Sequence, residues 1–237
     1  MLESLGLIGF GDGGWGFALL GGALVTIEIA VASYVVGILL GLVGAWAKIS
    51  GPGWVKAIGA GYTSVVRGVP EILVIFLIYY GGTSAIRSLT ALIVPGVDVQ
   101  IAAFPAAVAA LGFIAGAYAT EIFRGSLLAI DPGQREAGRA LSLRPYQVFG
   151  LIVLPQALRL AVPAFGNLWL VVLKDSALIS VVGIRDLLGI GQTAALSTRQ
   201  PFTFYTTVAL IFLLISTVSM VAFHLAERRL ARGQSSR

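Results

Sequence analysis

Cysteine is absent from the 237-residue chain, and histidine occurs once, at His224. Without thiols there is neither a disulfide framework nor a thiolate metal site. A single imidazole removes most zinc schemes and most Ser–His hydrolase schemes. Lysine occurs only at Lys48, Lys56 and Lys174, and none of them completes a Gly-x-x-x-x-Gly-Lys-(Ser/Thr) loop. The chain therefore has no P-loop for ATP. No nucleophile–base pair with supporting residues stands out, so it reads as neither an enzyme nor a holder of metal or cofactor. Charge is scarce as well: 11% of residues are Asp, Glu, Lys or Arg, against about 25% in soluble domains.

What fills the chain is apolar: 57% of residues are hydrophobic and the mean hydropathy is +0.93. This is the composition of an integral membrane protein. A spanning helix needs about 20 mostly apolar residues, and five stretches qualify: 17–47, 57–80, 101–123, 147–173 and 202–225. Between the last two, residues 174–201 are too broken to span and are expected to form short helices near the outer surface. Lys48, Lys56, Arg124, Arg135, Arg139, Arg144, Arg228, Arg229, Arg232 and Arg237 fall on one side, against Arg87, Lys174, Arg185 and Arg199 on the other. The positive-inside rule then puts the amino terminus outside and the carboxy terminus in the cytoplasm. The net charge of +5 sits at span ends and is no nucleic-acid signature. Before Trp15 there is no Lys or Arg, so that stretch does not read as a cleavable signal peptide.

Within the spans, Gly37-x-x-x-Gly41 with Gly44, and Gly112-x-x-x-Gly116, predict close helix packing without naming the partner helix. Charges inside a membrane cost about 2.5–3.5 kcal/mol on insertion scales and mark function or bracing pairs. The second span holds Arg67-Gly68-Val69-Pro70-Glu71 near its middle. Arg67 and Glu71, four apart, are expected on one helix face, and Pro70 to kink or unwind the helix. Such a break at mid-membrane is where transporters expose backbone to substrate. Glu121 and Glu28 are further carboxylates within spans, and Asn167 in a span should hydrogen-bond a neighbour.

The most polar interruption is residues 131–155, DPGQREAGRALSLRPYQVFGLIVLP. Asp131-Pro132 is a helix-start signal, and Arg144 before Pro145 a stop, which predicts a short helix over 131–143. Glu136-Ala137-Gly138, Ser142, Ile152 and Leu154-Pro155 keep the spacing of the "EAA" loop of bacterial ABC importer permeases. That pattern is Glu-Ala-Ala, three residues, Gly, nine residues, Ile, one residue, Leu-Pro, and the chain departs from it with Gly138 for Ala and Ser142 for Gly. The resemblance implies a coupling helix, with Glu136, Ala137, Gly138 and Ser142 docking a separate ATPase.

Arg67-Gly-Val-Pro-Glu71, Gly116-Ala-Tyr118 with Glu121-x-x-Arg124-Gly125, and Asn167-x-Trp169 with Lys174-Asp175-Ser176 resemble the polar amino-acid branch of these permeases, in the form serving histidine, lysine, arginine, ornithine and the opines. The resemblance implies an all-α bundle of five spans over 17–228, flanked by an extracytoplasmic segment 1–16 and a cytoplasmic tail 229–237. It also implies a substrate site drawn from Arg67, Glu71, Tyr118, Glu121 and Asn167. Its implied partners are two copies of an ATPase, a second permease subunit, identical or homologous, a periplasmic solute-binding protein and an amino-acid substrate, in the bacterial inner membrane. The membrane carboxylates leave an ion-coupled secondary transporter as the alternative, although no inverted repeat supports it.

Overall fold

The computed structural model describes residues 6–93 and 102–231, and every regular element among them is helical. Residue 101, where the third span was expected to start, and the tail 232–237 lie outside the described residues. The longer elements are α1 (Gly16–Ser50), α2 (Gly53–Gly68), α3 (Glu71–Phe76), α4 (Thr83–Ile93), α5 (Ala103–Leu128), α6 (Pro132–Ala140), α7 (Leu154–Asp175), α8 (Leu187–Thr198) and α9 (Pro201–Ala231), with a single helical turn at Pro145–Gln147. A π-helical turn, Leu77–Gly82, joins α3 to α4; another, Val148–Val153, leads into α7, and a 3₁₀ stretch, Ser176–Val182, follows it. Five segments are long and apolar enough to cross a membrane: Gly16–Ser50, Glu71–Ile93, Ala103–Leu128, Pro145–Val182 and Pro201–Leu225.

The second segment is displaced from the expected 57–80. Val69 is extended (φ −110°, ψ 142°) because the following proline bars it from the α region. The helix from Gly53 therefore stops at Gly68, and a new one begins when the Pro70 carbonyl accepts from Leu73 N at 3.0 Å. At the other end Gly81-Gly82 does not terminate the helix. The π turn carries it through, with Thr83 Oγ1 donating to the Tyr80 carbonyl at 3.0 Å. Pro70 thus breaks the helix as expected, but at the start of the apolar segment.

The glycine motifs of the first and third spans pack on each other. A Cβ added at Gly37 or Gly41 would collide with Ala115 or Ala119, and one at Gly112 or Gly116 with Val36 or Leu40. Lipid is as apolar as a leucine side chain, so this approach gains van der Waals contact rather than water release. The resulting α1–α5 pair is the spine of the fold. Across it, Ile29, Val66, Ile75, Leu111, Ile114 and Ile179 form the principal buried cluster, joining α1, α2, α3, α5 and the 3₁₀ stretch.

Of residues 174–201, the 3₁₀ stretch Ser176–Val182 continues the fourth segment, and α8 is the separate short helix expected there. Thr26 Oγ1 in α1 accepts from Leu187 N at 3.0 Å, and Phe204, fully buried, packs edge-on to Trp15. Asp186 caps α8 by accepting from Gly189 N at 2.8 Å, and burial pushes its carboxyl up to about 6.

Helix α6 starts as predicted, with Asp131 capping Gly133 N, but ends at Ala140, before the expected Leu143. The reason is Ser142, whose φ is +59°. Leu143 N donates to the Gly138 carbonyl at 3.2 Å and Ser142 N to the Arg139 carbonyl at 2.9 Å, the paired bonds of a Schellman stop. Ser142 occupies the place of the pattern's Gly and adopts the left-handed conformation that glycine reaches without a Cβ penalty. Ser142→Gly should therefore preserve transport and stabilise the loop by about 1 kcal/mol. Ser142→Val should destabilise it by a similar amount, both read from the thermal unfolding midpoint.

Candidate functional site

The break at Val69-Pro70 places a helix carboxy end and a helix amino end next to each other. Arg67 lies in the last turn of α2 and Glu71 in the first turn of α3. Each charge has the sign that its helix dipole favours. The two residues stand on opposite sides of the break instead of sharing one helix face, and among the described residues they form no ion pair with each other. They meet through Tyr118 of α5. The Tyr118 hydroxyl donates to Glu71 Oε1 at 3.2 Å, and the Arg67 guanidinium lies 5.3 Å from the centre of the Tyr118 ring. That is cation–π range, with the ring face as the electron-rich partner.

An open pocket of about 550 Å³ lies at this break, lined by Lys48, Thr63, Ser64, Arg67, Tyr118 and Glu121, with Gly68 at the break itself; Glu71 stands behind the lining, reached through the Tyr118 hydroxyl. Lys48, from the last turn of α1, donates to Thr63 Oγ1 at 2.8 Å and pairs with Glu121 Oε1. Glu121 Oε2 accepts from Arg124 at 2.9 Å. Glu121 thus lines the pocket with both oxygens engaged, and its network ties α1, α2 and α5 together. Asp175, half-buried at the end of α7, lies near enough to Glu71 for the two carboxylates to repel each other.

Four of the five expected site residues, Arg67, Glu71, Tyr118 and Glu121, are brought together. Asn167 is not: it is exposed on α7, outside the pocket lining, while Trp169, two residues on, packs edge-on to Tyr34 at 5.5 Å. Glu28 also faces outward from α1 and does not line the pocket. Lys48, Thr63 and Asp175 join the site without having been singled out for it. Lys48 had read as a loop cation, and Asp175 as part of a sequence pattern only.

On the cytoplasmic loop, Glu136 and Ala137 are exposed, whereas Gly138 is buried where a Cβ would press on Val148 and Ile152. The glycine that departs from the pattern therefore seats α6 on the π turn.

A family profile described as binding-protein-dependent transport system inner membrane component matches residues 33–232. The chain belongs to this family. Among its relatives, the octopine transport system permease protein of Agrobacterium tumefaciens is 43% identical over 227 residues, 96% of each chain. The nopaline transport system permease protein of Agrobacterium fabrum is 42% identical over 233 residues, 98% of this chain and 99% of the relative. The histidine/lysine/arginine/ornithine transport system permease protein of Salmonella typhimurium is 41% identical over 221 residues, 93% and 96% of the two chains. A chain in the crystal structure of an amino acid ABC transporter with histidines superposes with a TM-score of 0.79 at 31% identity, covering 91% of this chain and 95% of that one. A chain of the methionine ABC transporter in an inward-facing form, at 21% identity and TM-score 0.70, shares the fold. As an inner-membrane permease of this family the chain is a transport component and not an enzyme, and the ion-coupled alternative falls away.

Proposed function

We propose that the chain carries a cationic amino acid or an opine inward as one permease subunit of an ATP-driven importer. The observation that supports this most is Tyr118 joined to both Arg67 and Glu71 at a broken membrane helix. With Glu121 taken up by Lys48 and Arg124, the groups left for substrate are the Arg67 cation and the Glu71 and Asp175 carboxylates. A basic amino acid brings the complement: one carboxylate for the Arg67 fork, an ammonium and a side-chain cation for the two acids. The names of the opine and basic amino-acid relatives agree with that balance.

Five spans are too thin a bundle to enclose a path, so a second permease faces this one, with two ATPase subunits below and a solute-binding protein above. Helix α6 meets an ATPase through Glu136 and Ala137, which are exposed, and Gly138 and Ser142 hold it in shape. ATP is hydrolysed by those separate subunits.

Two experiments test this reading. A ligand screen on the cognate solute-binding protein should select a basic amino acid or an opine; selection of an acidic or apolar amino acid would contradict it. A reporter fused after Arg237 should be active only if it works in the cytoplasm. Activity of a periplasm-only reporter there would overturn the orientation.

A further inference from the structure

Two cavities outside the substrate pocket run into each other. A recess of about 290 Å³ beside α6 is lined by Arg135, Arg139, Pro145 and Phe149, and among the described residues no carboxylate lines it. A groove of about 310 Å³ continues from it along the bundle, between α1, α5 and α7, lined by Trp46, Phe123, Leu158 and Ala161. Ile49, Ser50, Leu127 and Phe149 belong to both. The groove opens sideways: Leu42, Trp46 and Leu158 on its walls are 49%, 63% and 47% exposed. It follows α1 from Leu42 to Ile49, a rise of about 10 Å.

The arginines sit where they do for a reason of helix geometry. Gly138 is the buried side of α6, Glu136 and Ala140 are exposed, and Arg135 and Arg139, four apart, share the flank between. Arg135 spends one donor on the Leu127 carbonyl at 3.1 Å; a guanidinium has five, so most remain free. Arg139 is exposed beside it.

We propose that this continuous site binds an anionic phospholipid, its phosphate held by Arg135 and Arg139 and the start of one acyl chain lying in the groove beside Trp46. A basic recess capping an apolar, laterally open channel matches a molecule with an anionic head and a hydrocarbon tail. It fits a soluble phosphate poorly, since nothing would fill the groove. The site lies on the face proposed to be cytoplasmic, where anionic lipid attracts basic side chains. A lipid seated there touches α6, α1 and α7 together, so it would brace the coupling helix against the membrane.

The test uses the assembled, delipidated transporter in detergent, so it is independent of substrate and of uptake. The signal is the tryptophan quenching by brominated-chain phosphatidylglycerol that disappears in Trp46→Phe. That component should appear at about tenfold lower concentration of phosphatidylglycerol than of phosphatidylcholine, the size of one charge-assisted contact. Arg135→Gln with Arg139→Gln should erase the preference and leave phosphatidylcholine unchanged. Ser126→Leu, which fills the groove and spares both arginines, should weaken the two lipids alike. Equal quenching by the two lipids in the unmodified chain, a preference that survives loss of both arginines, or quenching indifferent to Trp46→Phe would each overturn the proposal.

Discussion

Replacing Glu136 with lysine should abolish uptake while leaving the chain in the membrane at normal abundance. Glu136 is exposed on the face of α6 opposite the buried Gly138, so its side chain is not part of the loop's own packing. Exposed substitutions of this kind usually move stability by no more than about 0.5 kcal/mol. At an interface the same change reverses a charge, and truncating one partner of a buried interfacial charge pair costs about 2–5 kcal/mol. That corresponds to a loss of ATPase affinity of about thirtyfold or more. Co-purification of the ATPase and uptake in the same cells check the two halves of the expectation. Full uptake with normal ATPase association would remove Glu136 from the coupling contact.

The second large effect is expected at Arg67. Arg67→Lys keeps the charge but loses the planar fork that grips a carboxylate with two bonds. Charge-assisted hydrogen bonds are worth about 1.5–3 kcal/mol, so apparent affinity should fall about tenfold to a hundredfold for every amino acid carried, with abundance unchanged. Tyr118→Phe retains the ring under Arg67 and removes only the hydroxyl that reaches Glu71, so its effect should be a few-fold. Exchange of the two charges, Arg67→Glu with Glu71→Arg, discriminates recognition from bracing. A simple bracing pair would tolerate the exchange. Here the exchange sets a carboxylate over the electron-rich ring face, where it is repelled, so uptake should stay lost. Recovery of uptake in the exchanged chain would make the pair structural.

Much of this is legible in the amino-acid sequence. Spans follow from hydropathy because the bilayer thickness fixes helix length, and the break at Pro70 follows from a missing N–H and a blocked neighbour. What was not legible depended on geometry over longer range. Arg67 and Glu71 looked like neighbours on one face only because the i,i+4 rule assumes an unbroken helix, and the proline responsible for the break cancels that assumption. The expected span ends at Tyr80, and nothing local announces the π turn, Leu77–Gly82, that carries the helix on. Lys48 and Glu121 are 73 residues apart; their meeting depends on α1 and α5 closing at Gly37 and Gly41, which spacing alone hinted at without naming the partner. Asp175 enters the site only because α7 ends beside the broken helix. Ser142 departs from the pattern's glycine in the sequence, yet it keeps the left-handed backbone conformation that glycine would supply.

The most direct test of the substrate site compares arginine with citrulline, its neutral near-isostere, in proteoliposomes holding the complete transporter. Glu71→Gln keeps the side chain's size and removes its negative charge. If Glu71 meets the substrate's cation, the unmodified transporter should take up arginine in preference to citrulline, and Glu71→Gln should reduce that ratio by about tenfold or more, chiefly through arginine. An unchanged ratio, with both substrates lost equally, would contradict the account and leave Glu71 as a structural partner of Tyr118.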